Sequence, residues 1–194
     1  MRPVRRALCF ALLVLPAAAR AQAIDLATLM RRMAGRKSGE AKFSEERIVG
    51  RLDGPLTSSG TLSFTAPDRF VRHTLHPVRE TMEVQGRTLV LKRGNRTRQI
   101  EMDSVPEVAP LLEAMRATLT GDAAVLQRHF RTELSGSDAQ WVLRLTPLDS
   151  RLAAQVVQIE LVGTAADLRS IALQLRNGNR SLMLLEPTTP GPAR

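Results

Sequence analysis

A chain of 194 residues, 43% hydrophobic and 24% charged, has the composition of one ordinary globular domain. That excludes a disulfide scaffold, a collagen-like or disordered chain, and a membrane protein with several spans. The formal charge is +9, with lysine only at Lys37, Lys42 and Lys92 and arginine elsewhere; tyrosine is absent and Trp141 is the one tryptophan, too few aromatic platforms for a base-stacking nucleic-acid module.

The N-terminus has the order of an export signal. Arg2, Arg5 and Arg6 precede a short apolar run, 7–15, which Pro16 breaks; small residues follow. The run falls short of the roughly 20 apolar residues of a spanning helix. Ala21-Gln22-Ala23 fits the small-x-small cleavage rule, so residues 1–23 are expected to be removed, with Ala19 as the other cut. Cys9 lies inside the apolar run and would leave with it, so the mature chain would have neither a disulfide nor a lipid-attachment cysteine. Loss of Arg2, Arg5, Arg6 and Arg20 lowers the formal charge from +9 to +5. The expected destination is the periplasm, with a single domain over 24–186 and a flexible, proline-rich tail over 187–194.

Residues 24–33 read as a helix, with Ile24, Leu26, Leu29, Met30 and Met33 on one face. Asp25 sits near its start, where a carboxylate favours the helix dipole, and Gly35 is placed to stop it. The period then changes to two. Strands are expected over 41–49, 57–65, 70–75, 81–84, 88–92 and 98–102, with turns at Asp53-Gly54-Pro55, Ala66-Pro67-Asp68, His76-Pro77, Gln85-Gly86 and Arg93-Gly94-Asn95. Connections this short make neighbouring strands antiparallel. A helix follows over 106–119, with Val108, Leu111, Leu112, Met115 and Leu119 in one stripe, and a shorter one over 122–126. Strands return over 129–134, 141–145, 156–161, 168–175 and 181–185, with turn signals at Gly136-Ser137-Asp138 and Arg176-Asn177-Gly178-Asn179. The chain is mainly β with helices (α+β), with about ten or eleven short antiparallel strands. A strongly curved sheet with helices on its concave side accommodates both the alternation and the helical stripes.

Catalytic templates are missing. There is no G-x-S-x-G elbow, no phosphate-binding glycine loop and no H-E-x-x-H. His73 and His76 straddle a strand end without sharing a clean face, so no metal is expected there. Glu45 and Glu46 are adjacent in a strand and point to opposite faces. Asp149-Ser150 would imitate a triad with His129 only if folding brought them together. No enzyme activity, cofactor or metal is expected. Arg87, Lys92, Arg93, Arg96 and Arg98 cluster about one hairpin, either for contact with an anionic lipid headgroup or partner protein or as a charged edge that blocks aggregation. Apolar pairs recur on strand faces: Leu62 and Phe64, Met82 and Val84, Leu89 and Leu91, Leu143 and Leu145. Such faces suit a packed core or a hollow, half-closed barrel.

From Phe43 to Leu91 the spacing is distinctive. Phe43 is followed by Ser44-Glu45-Glu46-Arg47, then Pro55-Leu56, Ser59-Gly60-Thr61-Leu62-Ser63-Phe64, Pro67-Asp68-Arg69-Phe70, Pro77 and Gln85-Gly86-Arg87-Thr88-Leu89. This pattern resembles the periplasmic outer-membrane lipoprotein carriers, the LolA-like family, and its departures from that pattern imply a divergent member. The resemblance implies an incomplete antiparallel β-barrel covered by a helical lid over an apolar cavity. It implies a soluble, monomeric carrier that shields the acyl chains of lipoproteins between the membranes, takes cargo from an inner-membrane exporter complex and gives it to an outer-membrane receptor. The runner-up is a LolA-like carrier for a glycolipid or polyene-lipid export system, or a non-catalytic structural protein. Phe43 and Phe70 carry over as cavity residues; Leu62, Phe64, Met82, Leu89, Leu91 and Trp141 join them, and Leu111, Leu112 and Met115 are the lid candidates. Ala66 stands where the family has a basic residue, so Arg69 or Arg72 is expected to take its role in lid contact or handover. Arg72 also stands in place of an aromatic, and Arg72→Ala is expected to leave the fold intact.

Overall fold

Two stretches of alternating residues, separated by helices, become one sheet. The computed structural model describes residues 23–50, 52–104 and 109–188. Helix α1 (Leu26–Ala34) leads into strands β1 (Ser38–Ile48), β2 (Leu56–Thr65), β3 (Arg69–His76), β4 (Glu80–Gln85), β5 (Thr88–Arg93) and β6 (Arg96–Glu101). Helices α2 (Ala109–Thr120) and α3 (Ala123–His129) follow, then β7 (Phe130–Ser137), β8 (Gln140–Pro147), α4 (Ser150–Ala153), β9 (Val156–Thr164), β10 (Asp167–Leu175) and β11 (Arg180–Thr188). The sheet has 11 strands in the order β6-β5-β4-β3-β2-β1-β11-β10-β9-β8-β7, antiparallel throughout.

The topology follows from short connections. Each half is a meander, and the halves are zipped where the first strand meets the last, from Glu40 opposite Thr188 to Ile48 opposite Arg180. The pairings of Pro187 with Ala41 and of Thr188 with Glu40 carry β11 two residues beyond the expected boundary at 186. Positions 189–194 and residues 1–22, with Cys9 and most of the expected signal, lie outside the described residues. Ala23 bridges Ser137.

The helices start where their caps place them. Asp25 is the N-cap of α1 and accepts from the Thr28 amide at 2.7 Å; these bonds hold its carboxyl below the ordinary aspartate value. Asp122 caps α3, accepting from the Val125 amide at 3.0 Å. Asp149 caps α4, a four-residue helix absent from the expectation, through the Arg151 and Leu152 amides at 2.9 and 3.0 Å. That cap occupies Asp149, although folding does bring the backbone of His129 beside Leu148.

Burial is uneven across the sheet. In β8, Trp141, Leu143 and Leu145 face inward and pack with Leu29, Met30 and Met33 of α1, Ala114 and Ala117 of α2 and Leu126 of α3. The other half has only a small cluster around Phe43, Leu62 and Leu185. The helices therefore cover one half of the concave face closely and overhang the other. Gly121, with φ +73, ends α2 against α1; a Cβ there would meet the Met30 carbonyl oxygen at 2.0 Å. Gly163 makes room for the Trp141 ring, since a Cβ would stand 2.2 Å from Cζ2 and 2.4 Å from the Asp167 carbonyl oxygen. Gly163→Ala is predicted to cost about 1–3 kcal/mol by overpacking, read as a lower denaturation midpoint; an unchanged midpoint would show that the ring yields freely.

Candidate functional site

Alternation and register place one set of side chains on the concave face. Phe43 stands opposite Gly60 and Leu185, Leu62 opposite Ala41 and Arg72, Phe64 opposite Phe70, and Val84 opposite Leu89. Between this face and the overhanging helices lies a cavity of about 410 Å³, within the roughly 300–1,000 Å³ of ordinary small-molecule sites. Its wall includes Leu62, Phe64, Phe70, Met82, Leu161 and Ile171, and its roof is Met33 of α1 with Ala114, Met115, Thr118 and Leu119 of α2. A side pocket of about 80 Å³ shares Phe64, Phe70, Met115 and Leu119 with it. The one hydroxyl in the roof, Thr118, is satisfied internally, Oγ1 donating to the Ala114 carbonyl at 2.8 Å. The roof thus presents an apolar surface to the interior.

The structure sorts the expected site residues. Leu62, Phe64, Phe70, Met82 and Leu89 line the cavity, as does Met115 in the lid. Leu111 and Leu112 fall in the first turns of α2, where the side chains lie outside the described residues. Leu91 shares the face of Leu89 but stands outside the wall. Phe43 is buried between two lining residues, Ala41 and Glu45, and packs with Leu62 and Leu185 beneath the surface.

Trp141 corrects the expectation. It is fully buried in the half that the helices cover, with Nε1–H donating to the Ala165 carbonyl at 2.9 Å, and it does not line the cavity. Its strand face was legible, but α1, α2 and α3 land on that part of the face and turn it into core. Arg69 is a second correction. It stands on the outer face, its Nε donating to Glu83 Oε1 at 2.8 Å, and is turned away from the lid.

Arg72 does face inward, but toward a partner in the sheet. Its Nη2 donates to Glu45 Oε2 at 2.6 Å and to Ser58 Oγ at 3.1 Å, and its Nε to Thr74 Oγ1 at 3.3 Å. The guanidinium carbon lies 4.5 Å from the centroid of the Phe43 ring, a cation–π contact. Arg72 can cross β2 because Gly60 lies between Phe43 and Thr74 and offers no side chain. Side-chain exposure is 18% for Arg72 and 7% for Glu45. A half-buried Arg72, paired with a buried carboxylate, argues against the expectation that Arg72→Ala leaves the fold untouched.

Glu45 lines the cavity, a place the sequence analysis did not give it. Burial alone would push its carboxyl up; the Arg72 guanidinium, Arg47 and the Ser58 hydroxyl outweigh that and hold it below the ordinary glutamate value. Its i, i+2 spacing from Phe43 was the available signal, since every second residue of β1 faces inward. The cavity is therefore amphiphilic, with an apolar wall that ends at the Glu45 carboxylate and the Ser181 hydroxyl on one side and at Arg36, Ser38, Glu40 and Ser63 on the other.

These features define a cavity-forming binding protein with a helical roof. A family described as outer membrane lipoprotein carrier protein LolA-like matches residues 18–192, and the chain belongs to it. Members of this family are carrier or binding proteins of the extracytoplasmic space. No significant match is found among curated protein sequences. The fold is similar to a LolA superfamily protein from Nitrosomonas europaea at 8% identity, with 87% of this chain and 94% of that chain covered and a TM-score of 0.46. It is similar to a putative outer membrane lipoprotein-sorting protein domain from Vibrio parahaemolyticus at 10% identity, covering 87% and 93%, TM-score 0.47. It is also similar to the lipoprotein LppX of Mycobacterium tuberculosis at 12% identity, covering 86% and 96%, TM-score 0.42. Among the described residues no helix is long and apolar enough to cross a membrane.

Proposed function

We propose that the chain is a soluble periplasmic carrier that shields the acyl chains of lipoproteins during transfer from the inner to the outer membrane. The observation that carries this reading is the roofed cavity of about 410 Å³, walled almost wholly by apolar side chains. Each methylene moved there from water contributes about 0.8 kcal/mol, so shielding needs no catalysis. Direction comes from the partners: an inner-membrane exporter complex that loads the cavity and an outer-membrane receptor that empties it. The carrier itself works as a monomer, without a cofactor.

A second reading, a carrier for a glycolipid or polyene-lipid export system, is favoured by one feature. Polar side chains stand at both ends of the wall, Glu45 and Ser181 at one and Arg36, Ser38, Glu40 and Ser63 at the other, and suit hydrogen bonding to a polar headgroup drawn inside. Mass spectrometry of the cargo held by the chain isolated from its own periplasm separates the readings. Acylated proteins support the first, and free glycolipid the second. An empty chain that also ignores an apolar fluorescent probe would end both.

Phe70 lines both the main cavity and the side pocket. Phe70→Glu sets a charge against the acyl chains, and desolvating it on loading is expensive. A loss of probe or cargo binding of about tenfold or more is expected, equivalent to at least about 1.4 kcal/mol. The melting temperature should change far less, because the ring is only half buried. A variant that unfolds, with normal binding in its folded fraction, would make Phe70 a core residue instead.

A further inference from the structure

Antiparallel pairing sends successive hairpin turns to opposite ends of a sheet. The end away from the α1–β1 connection collects four turns from eight consecutive strands: 49–55, 77–79, 94–95 and 176–179. Gly50 N–H donates to Asn179 Oδ1 at 3.1 Å and ties two of these tips together. Two properties coincide on this rim. Large apolar side chains stand in solvent, with Leu52 50%, Leu56 49%, Leu75 46% and Val78 46% exposed. Around them Arg79, Lys92, Arg93, Arg96 and Arg180 are all exposed, and Glu46, Asp53 and Glu80 are acidic residues nearby.

The opposite rim is built differently. Three of its arginines are matched, Arg36 with Asp167, Arg32 with Asp138 and Arg69, beside the 66–68 turn, with Glu83, whereas Lys37 donates only to the Ala34 carbonyl. Among the described residues, none of the five cations named on the hairpin rim forms an ion pair. A surface that only needed solubility would not require apolar tips among its cations, and a charged edge that only blocked strand pairing would be confined to β6.

We infer that this rim is a docking surface for an anionic lipid bilayer. The apolar tips enter the interfacial region, and the guanidinium and ammonium groups lie at the level of the phosphates. A lipid surface fits better than an acidic protein because the apolar side chains stand in two separate pairs, Leu52 and Leu56 at the 49–55 turn and Leu75 and Val78 at the 77–79 turn, and none lines either cavity. A protein partner would need a packed, complementary patch, whereas a fluid headgroup layer accepts isolated tips. Glu45 and Ser181 line the cavity toward this same end, as Arg36, Ser38, Glu40 and Ser63 do toward the other, so docking brings the membrane to one of the two polar ends of the cavity. The inference goes beyond the carrier reading and does not require it.

The test is co-sedimentation of the chain recovered from the periplasm, its N-terminus checked by mass, with vesicles of phosphatidylcholine alone or mixed with phosphatidylglycerol. Binding is expected only to the mixed vesicles and should weaken as salt rises. The Arg93→Glu/Arg96→Glu pair should weaken it roughly tenfold or more. Leu52→Ser/Val78→Ser should weaken it at all salt concentrations. Lys42→Glu, an exposed cation in the middle of β1, should leave it nearly unchanged. Each variant should keep the parental melting temperature and its loading with an apolar probe. Failure to bind mixed vesicles at low salt, or an equal loss in Lys42→Glu, overturns the inference and leaves the rim to an acidic protein partner. A parent that binds vesicles but takes up no apolar probe would overturn the carrier reading and leave this surface standing.

Discussion

Arg72→Ala should lower stability by about 2–3 kcal/mol. Removing one partner of a buried pair costs roughly 3–5 kcal/mol when the remaining charge is fully stranded. Here Arg47 stays 3.4 Å from Glu45 and Ser58 still donates to it, which lowers the estimate. The double variant Glu45→Met/Arg72→Met should recover to within about 1 kcal/mol of the parent, because a well-packed apolar pair can replace a buried ion pair without net loss. A double variant as unstable as the single one would show that the packing of Arg72 over Phe43, and not its charge, is what matters.

The same pair makes a pH prediction. Glu45 has a lower pKa folded than unfolded, so its contribution is present above the ordinary glutamate value of about 4.3 and is lost as pH falls through the lower folded value. In Arg72→Ala the carboxylate is held less firmly in its charged form. The deficit relative to the parent should therefore narrow as pH falls below about 4.3, followed by urea denaturation midpoints at several pH values. A deficit constant across that window would remove Glu45 as its source.

Sequence and structure agree where a physical signal is local. All eleven strands follow from alternation, with ends that move by a few residues; α1 and α3 begin where Asp25 and Asp122 can cap them. The misses share a cause. Helix α4 has four residues and buries only Leu152, too little for a helical period to show. For Trp141, alternation gives the face but not which helix covers it, and that depends on contacts among α1, α2 and α3. The Glu45–Arg72 pair spans three strands, with Arg72 opposite Leu62 and Glu45 opposite Ser58, four residues along β2. Each charge sits i+2 from an inward phenylalanine, Phe43 or Phe70, so the facing was legible. Their meeting was not, because it needs the tertiary register as well as the absence of a side chain at Gly60.

Ala41→Phe should nearly abolish cargo binding while leaving the fold intact. Ala41 is half buried on the concave face, lines the cavity and stands opposite Leu62 and Pro187. A ring there grows into open volume and buries no polar group, unlike the charge introduced at Phe70. Excluding about four methylenes of an acyl chain at about 0.8 kcal/mol each removes about 3 kcal/mol, a loss of roughly 200-fold in affinity. Melting temperature should hold or rise, since the ring fills a void beside the small cluster of Phe43, Leu62 and Leu185. The opposed signs are the useful part: titration with a single-chain fluorescent fatty acid and a thermal melt on the same sample should move in different directions. Unimpaired binding would mean that the ligand occupies another part of the concave face. A steep fall in melting temperature would mean that the region around Ala41 is packed, and the apolar wall would then be core and not a binding surface.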